Sequence, residues 1–247
     1  MKVIMNGALG KMGKQILALL EEGKNGTELA CGVDIGADGS DPRILKSLSD
    51  FTGEADMIID FSHHACTEAL LAYAVERNIP TIIATTGHTA EELECIRKAS
   101  EKIAVFHAGN FSLGVAILCD FARRAAAMMP DANIEIIEKH HNQKLDAPSG
   151  TALMLANDIK EARTDATFVC GRYGHGKRTE NEIGIHALRL GGVIGEHEVI
   201  LATPTETITL KHEAHTRALF ADGALVAAGF LAGKPAGLYN MKDIVKN

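Results

Sequence analysis

Val3-Ile-Met-Asn-Gly-Ala-Leu-Gly-Lys-Met-Gly13 decides the fold of this chain. Val3 to Asn6 reads as a short apolar strand. Gly7, Gly10 and Gly13 follow at three-residue spacing. A helix through Ile16, Leu17, Leu19 and Leu20 then stops near Gly23. Strand, glycine-rich turn and helix in that order make the opening unit of a dinucleotide-binding fold. The spacing is G-x-x-G-x-x-G rather than the commoner G-x-G-x-x-G. Gly7 suits the tight turn, Gly10 the close approach of a pyrophosphate, and Gly13 the packing of helix on sheet. A second strand, Leu29 to Val33, ends at Asp34, about 20 residues beyond the last glycine, where a ribose-binding carboxylate belongs.

The alternation continues outward from this unit. Met57–Phe61, Thr81–Thr85 and Ile103–Phe106 are apolar strands; Ala65–Arg77 and Thr89–Ser100 are helices, with Thr89 and Glu92 spaced as a capping box. Such a rhythm predicts an α/β fold, a Rossmann-type doubly wound parallel sheet with ligands at the carboxyl ends of its strands. The loops at those ends are Phe61-Ser-His-His64, Ala84-Thr-Thr-Gly87 and Ala108-Gly-Asn-Phe111. The segment Asp38–Asp50 is short for a complete helix, so the adenine side is expected to be trimmed. His63 and His64 face opposite ways if extended and make a poor chelate; His88 and His107 carry no spacing signal.

The second half has a different period. Ser112–Met129 is a long apolar helix, and Asn133–Glu138 an alternating strand. Ile183–Leu190, His197–Thr203 and Glu206–His212 then follow as strands without intervening helices. This predicts an inserted α+β domain, 112–213, with an open antiparallel face. The dinucleotide domain would comprise 1–111 and 214–247, because Arg217–Leu231 returns to helix. Gly171–Arg178 is glycine-rich and basic: a lid, an anion-binding loop or a mobile solvated loop.

Within the insertion lies Glu138-Lys-His-His-Asn-Gln-Lys-Leu-Asp-Ala-Pro-Ser-Gly-Thr-Ala152, read as a strand end, a loop and a helix start. Pro148 holds Ala147 extended, and Ser149 is a plausible N-cap. The free amides of Gly150, Thr151 and Ala152 then favour an anion. Lys144 adds a positive charge, and His140 and His141 titrate near neutrality. The cluster suits a small dianionic substrate and a proton donor; a capped helix with two surface histidines is the blander reading.

Glu-x-His-His-x-x-Lys-x-Asp-Ala-Pro-Ser-Gly-Thr-Ala closely resembles the signature of the 4-hydroxy-tetrahydrodipicolinate reductase (dihydrodipicolinate reductase) family. Ala84–Gly87 and Ala108–Phe111 resemble that family's nicotinamide-side loops, with Ala84 in place of the usual glycine. The tail from Gly237 resembles its C-terminus. The resemblance implies NADH- or NADPH-dependent reduction of an unsaturated cyclic dicarboxylate in diaminopimelate and lysine biosynthesis. It implies hydride delivery to ring C4, with His140 as proton donor and Lys144 as a second catalytic group. His141, Ser149, Gly150 and Thr151 would hold the substrate carboxylates. Gly7, Ala8, Leu9, Gly10, Lys11, Met12, Asp34, Ala84, Thr85, Thr86, Ala108, Gly109, Asn110 and Phe111 would hold the nucleotide. Asp34 favours NADH, since it would repel a 2′-phosphate. Ile35 stands where some members carry an arginine that favours NADPH. A homotetramer built through the second-half sheet is implied as well.

Composition agrees with this reading. A formal net charge of −7 argues against nucleic-acid partners, and no apolar run is long enough to span a bilayer. The N-terminus runs directly into a strand, so no signal peptide and a cytoplasmic location are expected. The five cysteines form no CxxC pair and are read as buried small hydrophobes in a reducing compartment. No third ligand accompanies His140 and His141, so no metal site is expected. A hydrolase would need a G-x-S-x-G elbow, which is absent. A semialdehyde or homoserine dehydrogenase would lack the His-His-x-x-Lys run, and an NAD-sensing binding protein would need no proton donor.

Overall fold

The computed structural model describes residues 1–246, so Asn247 of the expected first domain lies outside the described residues. Two compact units emerge, Met1–Ser112 with Ala218–Val245, and Leu113–Arg217. In chain order the first unit supplies β1 (Lys2–Asn6), α1 (Lys11–Glu21), β2 (Glu28–Val33), β3 (Ile44–Leu45), β4 (Met57–Asp60), α2 (Thr67–Glu76), β5 (Thr81–Ile83), α3 (Ala90–Ser100) and β6 (Ala104–His107). The second supplies α4 (Leu113–Met128), β7 (Asn133–His140), α5 (Gly150–Ala162), β8 (Thr167–Cys170), β9 (Glu182–Arg189), β10 (Glu196–Ala202) and β11 (Thr207–Glu213). The chain then returns to the first unit with α6 (Ala218–Leu231), β12 (Gly237–Tyr239) and α7 (Met241–Val245).

In the first unit the strand order is β12-β6-β5-β4-β1-β2-β3, and every pairing is parallel. Helices on both faces explain why Val3–Met5, Met57–Ile59 and Thr81–Ile83 are buried without alternation. The order reverses between β1 and β4, which opens a crevice at their carboxyl ends. Gly7 forms the turn there at φ +83, where an added Cβ would stand 2.5 Å from the Phe61 carbonyl oxygen. At Gly13 the same atom would stand 2.1 Å from the Gly7 carbonyl oxygen, so α1 rests directly on the turn.

Thr89 and Glu92 do form the capping box. Asp38–Asp50 holds only β3 and a single 3-10 turn at Leu48–Asp50, because Gly39 and Pro42 interrupt any helix. His63 and His64 do not point apart: a 3-10 turn at His64–Cys66 brings their rings to 4.3 Å. Cys31 and Cys119 are buried, but Cys66 and Cys95 are half-buried and Cys170 is exposed; all five are free thiols.

The second unit holds a sheet of order β11-β10-β7-β9-β8. The expected run of antiparallel strands is corrected here. β7 separates β9 from β10 and pairs parallel with β9, and β8, unforeseen, pairs parallel with β9 on its far side. Only β10 pairs antiparallel, with β7 and β11. β7 alternates strictly: Ile134, Ile136, Glu138 and His140 are buried, the residues between them only partly. Ile134 and Ile136 pack with Ile183, Ile185, Val199 and Leu201 under Leu118 and Ala122 of α4 and Leu155 and Ile159 of α5. On the opposite face Lys139 and Lys211 pair with Glu196, and His186 with Glu135.

Replacing Gly13 by alanine forces α1 off the turn. Overpacking of this kind costs about 1–3 kcal/mol, so Gly13→Ala should melt several degrees below the parent in differential scanning calorimetry and bind nucleotide more weakly.

Candidate active site

In the first unit, Gly10 caps α1 without a side-chain bond, and no acid stands in the first turn. The amides that open this helix therefore have no intrahelical acceptor and face the crevice with their dipole unopposed. A cavity of about 610 Å³ runs past Gly7 and Gly10, then Asp34 and Ile35, to Ser47 and Tyr73. Asp34 accepts from Leu9 N–H at 3.0 Å and Gly36 N–H at 2.9 Å, which fixes its carboxylate against the turn. Each oxygen keeps a further lone pair for a hydroxyl. Ala8 is buried, and its amide donates to the Val33 carbonyl at 3.1 Å. Leu9 completes the turn, and Lys11 and Met12 open α1. This chemistry fits a dinucleotide: close backbone approach, a positive helix end, and a fixed acid beyond it.

A second hollow of about 290 Å³ lies among Phe61, Ser62, His63, Ala84, Thr85 and Thr86. Its floor is organised by Asp60, which sequence reading did not single out. Asp60 is buried and accepts from Asn6 Nδ2 at 2.7 Å, Ser62 Oγ at 2.6 Å and Thr85 Oγ1 at 2.7 Å. One carboxylate thus ties together the ends of β1, β4 and β5. Among the other expected residues, Ala108 and Gly109 lead from β6 to Asn110, whose Oδ1 accepts from Ser112 N–H at 2.8 Å. Phe111 is buried against Phe106 and Phe61.

The second unit brings His140, Lys144, Ser149, Gly150 and Thr151 to one end of its sheet. Strand β7 continues to His140, so this histidine stands in a strand rather than a loop. Period-two alternation then puts Glu138 on the same buried face. His140 Nδ1 lies 2.5 Å from Glu138 Oε2. Arg189, the register partner of His140 on β9, grips Glu138 with both terminal nitrogens, at 2.8 and 2.9 Å. Ser149 N–H donates to the other carboxylate oxygen at 3.0 Å.

Ser149 Oγ accepts from Ala152 N–H, as a cap should, and lies 3.2 Å from His197 Nε2. The Ala147–Pro148 bond before it is cis. Gly150 is exposed, and a Cβ added there would meet nothing within 4 Å, so the start of α5 is open to a ligand. No acid lies in its first turn. Lys144 pairs with Asp146 at 2.8 Å, and His141 is half-buried beside it in the chain.

Burial pushes His140 below the ordinary histidine pKa; Glu138 opposes that shift, while Lys144 and Arg189 add to it. Burial works to raise the Glu138 carboxyl, yet Arg189, His140 and the Ser149 amide together hold it below the ordinary carboxylate value. His197, edge-on to His140 at 5.2 Å, is pushed down to about 4 by burial and stays neutral. The Gly171–Arg178 loop spends its arginines on the protein: Arg172 pairs with Glu182, and Arg178 with Glu135 and the Ile134 carbonyl. Among the described residues, no group of three histidine, cysteine or acidic side chains is placed to hold a metal ion. Arg189 and His197 were not singled out in the sequence, since only strand register brings them to His140. Glu138 was legible in principle from its two-residue spacing within a strand.

The family models for the N-terminus and C-terminus of dihydrodipicolinate reductase match residues 1–111 and 114–245. The chain belongs to the dihydrodipicolinate reductase family. It is 44% identical over 247 residues to the 4-hydroxy-tetrahydrodipicolinate reductase of Caldanaerobacter subterraneus subsp. tengcongensis, covering 99% of this chain and 98% of that one. It is likewise 44% identical over 249 residues to the enzyme of the same name from Clostridium novyi, covering 100% and 98%. Among solved structures, dipicolinate-bound dihydrodipicolinate reductase from Paenisporosarcina sp. TG-14 superposes with a TM-score of 0.83 at 27% identity, covering 98% of both chains. The chain is therefore an oxidoreductase of this family with a Rossmann-type first unit.

A neutral buried His197 makes stability depend on pH. The unfolded chain takes up a proton near the ordinary histidine value of 6.5, the folded chain only near 4. Stability is then complete above pH 6.5 and falls as the pH drops towards 4, by up to about 3 kcal/mol. Thermal melts should show this acid-side loss, and His197→Asn should flatten it.

Proposed function

We infer that the chain reduces 4-hydroxy-tetrahydrodipicolinate, by way of dihydrodipicolinate, to tetrahydrodipicolinate in the diaminopimelate and lysine pathway. The observation that carries this reading is the His140–Glu138–Arg189 constellation beside the open N-terminus of α5. A planar dicarboxylate needs two anion-binding points, and the second unit offers them. The first is the backbone start of α5 at Gly150 and Thr151, where the helix dipole favours negative charge. The second is Lys144, whose present partner Asp146 is more than half exposed and readily displaced. His141 and the Ser149 hydroxyl complete the carboxylate contacts.

His140 is the proton donor. Its Nδ1 is committed to Glu138, which leaves Nε2 as the atom that faces the reacting ring carbon, C3. Gly195 makes room there: a Cβ at that position would stand 3.1 Å from Nε2. Lys144 assists by holding a carboxylate and by keeping the local charge positive as the ring gains electrons. Gly7, Gly10, Lys11 and Met12 hold the nucleotide's pyrophosphate by backbone, and Asp34 its ribose. Ala84–Thr86 and Ala108–Phe111 hold the nicotinamide side, and the nicotinamide when bound supplies the hydride to ring C4.

NADH is the preferred form, because Asp34 is fixed where a 2′-phosphate would lie and Ile35 beside it is exposed and uncharged. The enzyme works in the cytoplasm. It assembles as a homotetramer through the second sheet.

His140→Ala should lower kcat by about 10²–10⁴-fold while leaving NADH affinity unchanged. The assay follows NADH absorbance with substrate generated from pyruvate and aspartate semialdehyde. Wild-type protein that binds NADH but oxidises none would sink the reading. Ile35→Arg should shift preference towards NADPH, chiefly through KM, as parallel assays with the two nucleotides would reveal.

A further inference from the structure

A histidine whose Nδ1–H is committed to a carboxylate carries no proton on Nε2 while the ring is neutral. To donate from Nε2, His140 must hold both protons. Its surroundings mostly disfavour that state. Burial opposes the charged ring, and Lys144 from the following loop and Arg189 from β9 are both positive. His197 on β10 stays neutral, and His212, opposite it on β11, is also pushed down by burial. Among the described residues whose charge acts on the ring, Glu138 is the one anion.

Glu138 is built to remain one. It has no exposed surface, yet it accepts from both arms of Arg189, from the Ser149 amide and from His140 itself. A buried carboxylate with four charge-assisted or amide donors is strongly held in its ionised form. Arg189 is fixed in turn by the Asp146 carbonyl at 2.6 Å.

We propose that Glu138 is the positioning residue that makes His140 an acid: its carboxylate fixes Nδ1–H, turns Nε2 towards the substrate and supports the imidazolium, while Arg189 holds Glu138 in place. This rests on the reading of His140 as the donor. In the step itself the imidazolium Nε2–H bond breaks and its proton goes to ring C3. The bonding pair stays on Nε2, giving the neutral Nδ1–H ring, and Glu138 remains a carboxylate throughout. Solvent restores the proton. Turnover therefore belongs to the protonated ring: kcat is highest below the His140 pKa and falls as pH rises through it. Removing the Glu138 charge lowers that pKa further and moves the fall to lower pH.

The test compares pH profiles of kcat and KM for wild type, Glu138→Gln, Glu138→Asp and His140→Gln, with folding checked by circular dichroism. Glutamine can still accept from Nδ1–H but carries no charge. It should move the alkaline limb down by about one pH unit and lower kcat about tenfold at pH 8, with KM within threefold. Aspartate should restore part of the limb. A limb that does not move in Glu138→Gln, or a loss equal at every pH, overturns the proposal. Should the glutamine variant not fold, histidine ¹⁵N spectra of the wild-type protein decide, with His140→Gln assigning the resonance. Neutral His140 must carry its proton on Nδ1, and a proton on Nε2 overturns the proposal. If His140→Gln itself keeps the rate and the limb, it is the donor assignment that fails, and the spectra still report the Glu138 contact.

Discussion

A single buried carboxylate organises the polar end of the second unit's sheet. Glu138 has no exposed surface, so its charge must be met by the protein, and four donors converge to meet it. Those donors come from the next alternate position of its own strand, from the cap of α5, and from β9. Satisfying one charge therefore fixes three elements at once. It sets the orientation of His140, the start of α5 and the register of β7 against β9. An unmet carboxylate here would be far costlier than any single apolar contact in the same core.

The first unit uses the same device at a different place. Asp60 ends β4 beside β1 and β5, and it gathers Asn6, Ser62 and Thr85 around itself. Asp34 does the equivalent on the other side of the turn, holding the Leu9 and Gly36 amides. Each acid sits at a strand's carboxyl end, where loop amides meet Asp34 and mainly side-chain donors meet Asp60. The crevice is thus rigid in its polar framework and apolar between, which suits a ligand with a charged centre and flat rings at both ends.

Much of this was legible in the residues. The parallel unit followed from continuous apolar runs, the glycine spacing and Asp34. The α5 cap followed from Ser149 and the apolar period after it. The reading failed where a long-range pairing decided the outcome. β9, β10 and β11 look like a meander, yet β7 lies between β9 and β10, because β7 carries the apolar face that both need to cover. The apolar alternation marks a strand only as far as Glu138, whereas β7 runs on to His140, because the polar Glu138 and His140 keep the period-two burial. His63 and His64 were expected apart, and a 3-10 turn stacks them. With His88 and His107 they continue a row of rings at 6.5 and 5.2 Å.

Local pattern was enough for what depends on neighbours in the chain: the glycine turn, the alternation of strand and helix, the capped helix start, and the residue types able to bind an anion and pass a proton. Those properties rest on backbone conformation and on periodicity, both written into adjacent positions. Folding in three dimensions decided which charge faces which. Arg189 meets Glu138 across 51 residues, and His197 meets Ser149 across 48. Such encounters depend on sheet register and on the desolvation of both partners, and neither has a signature within any short stretch of sequence.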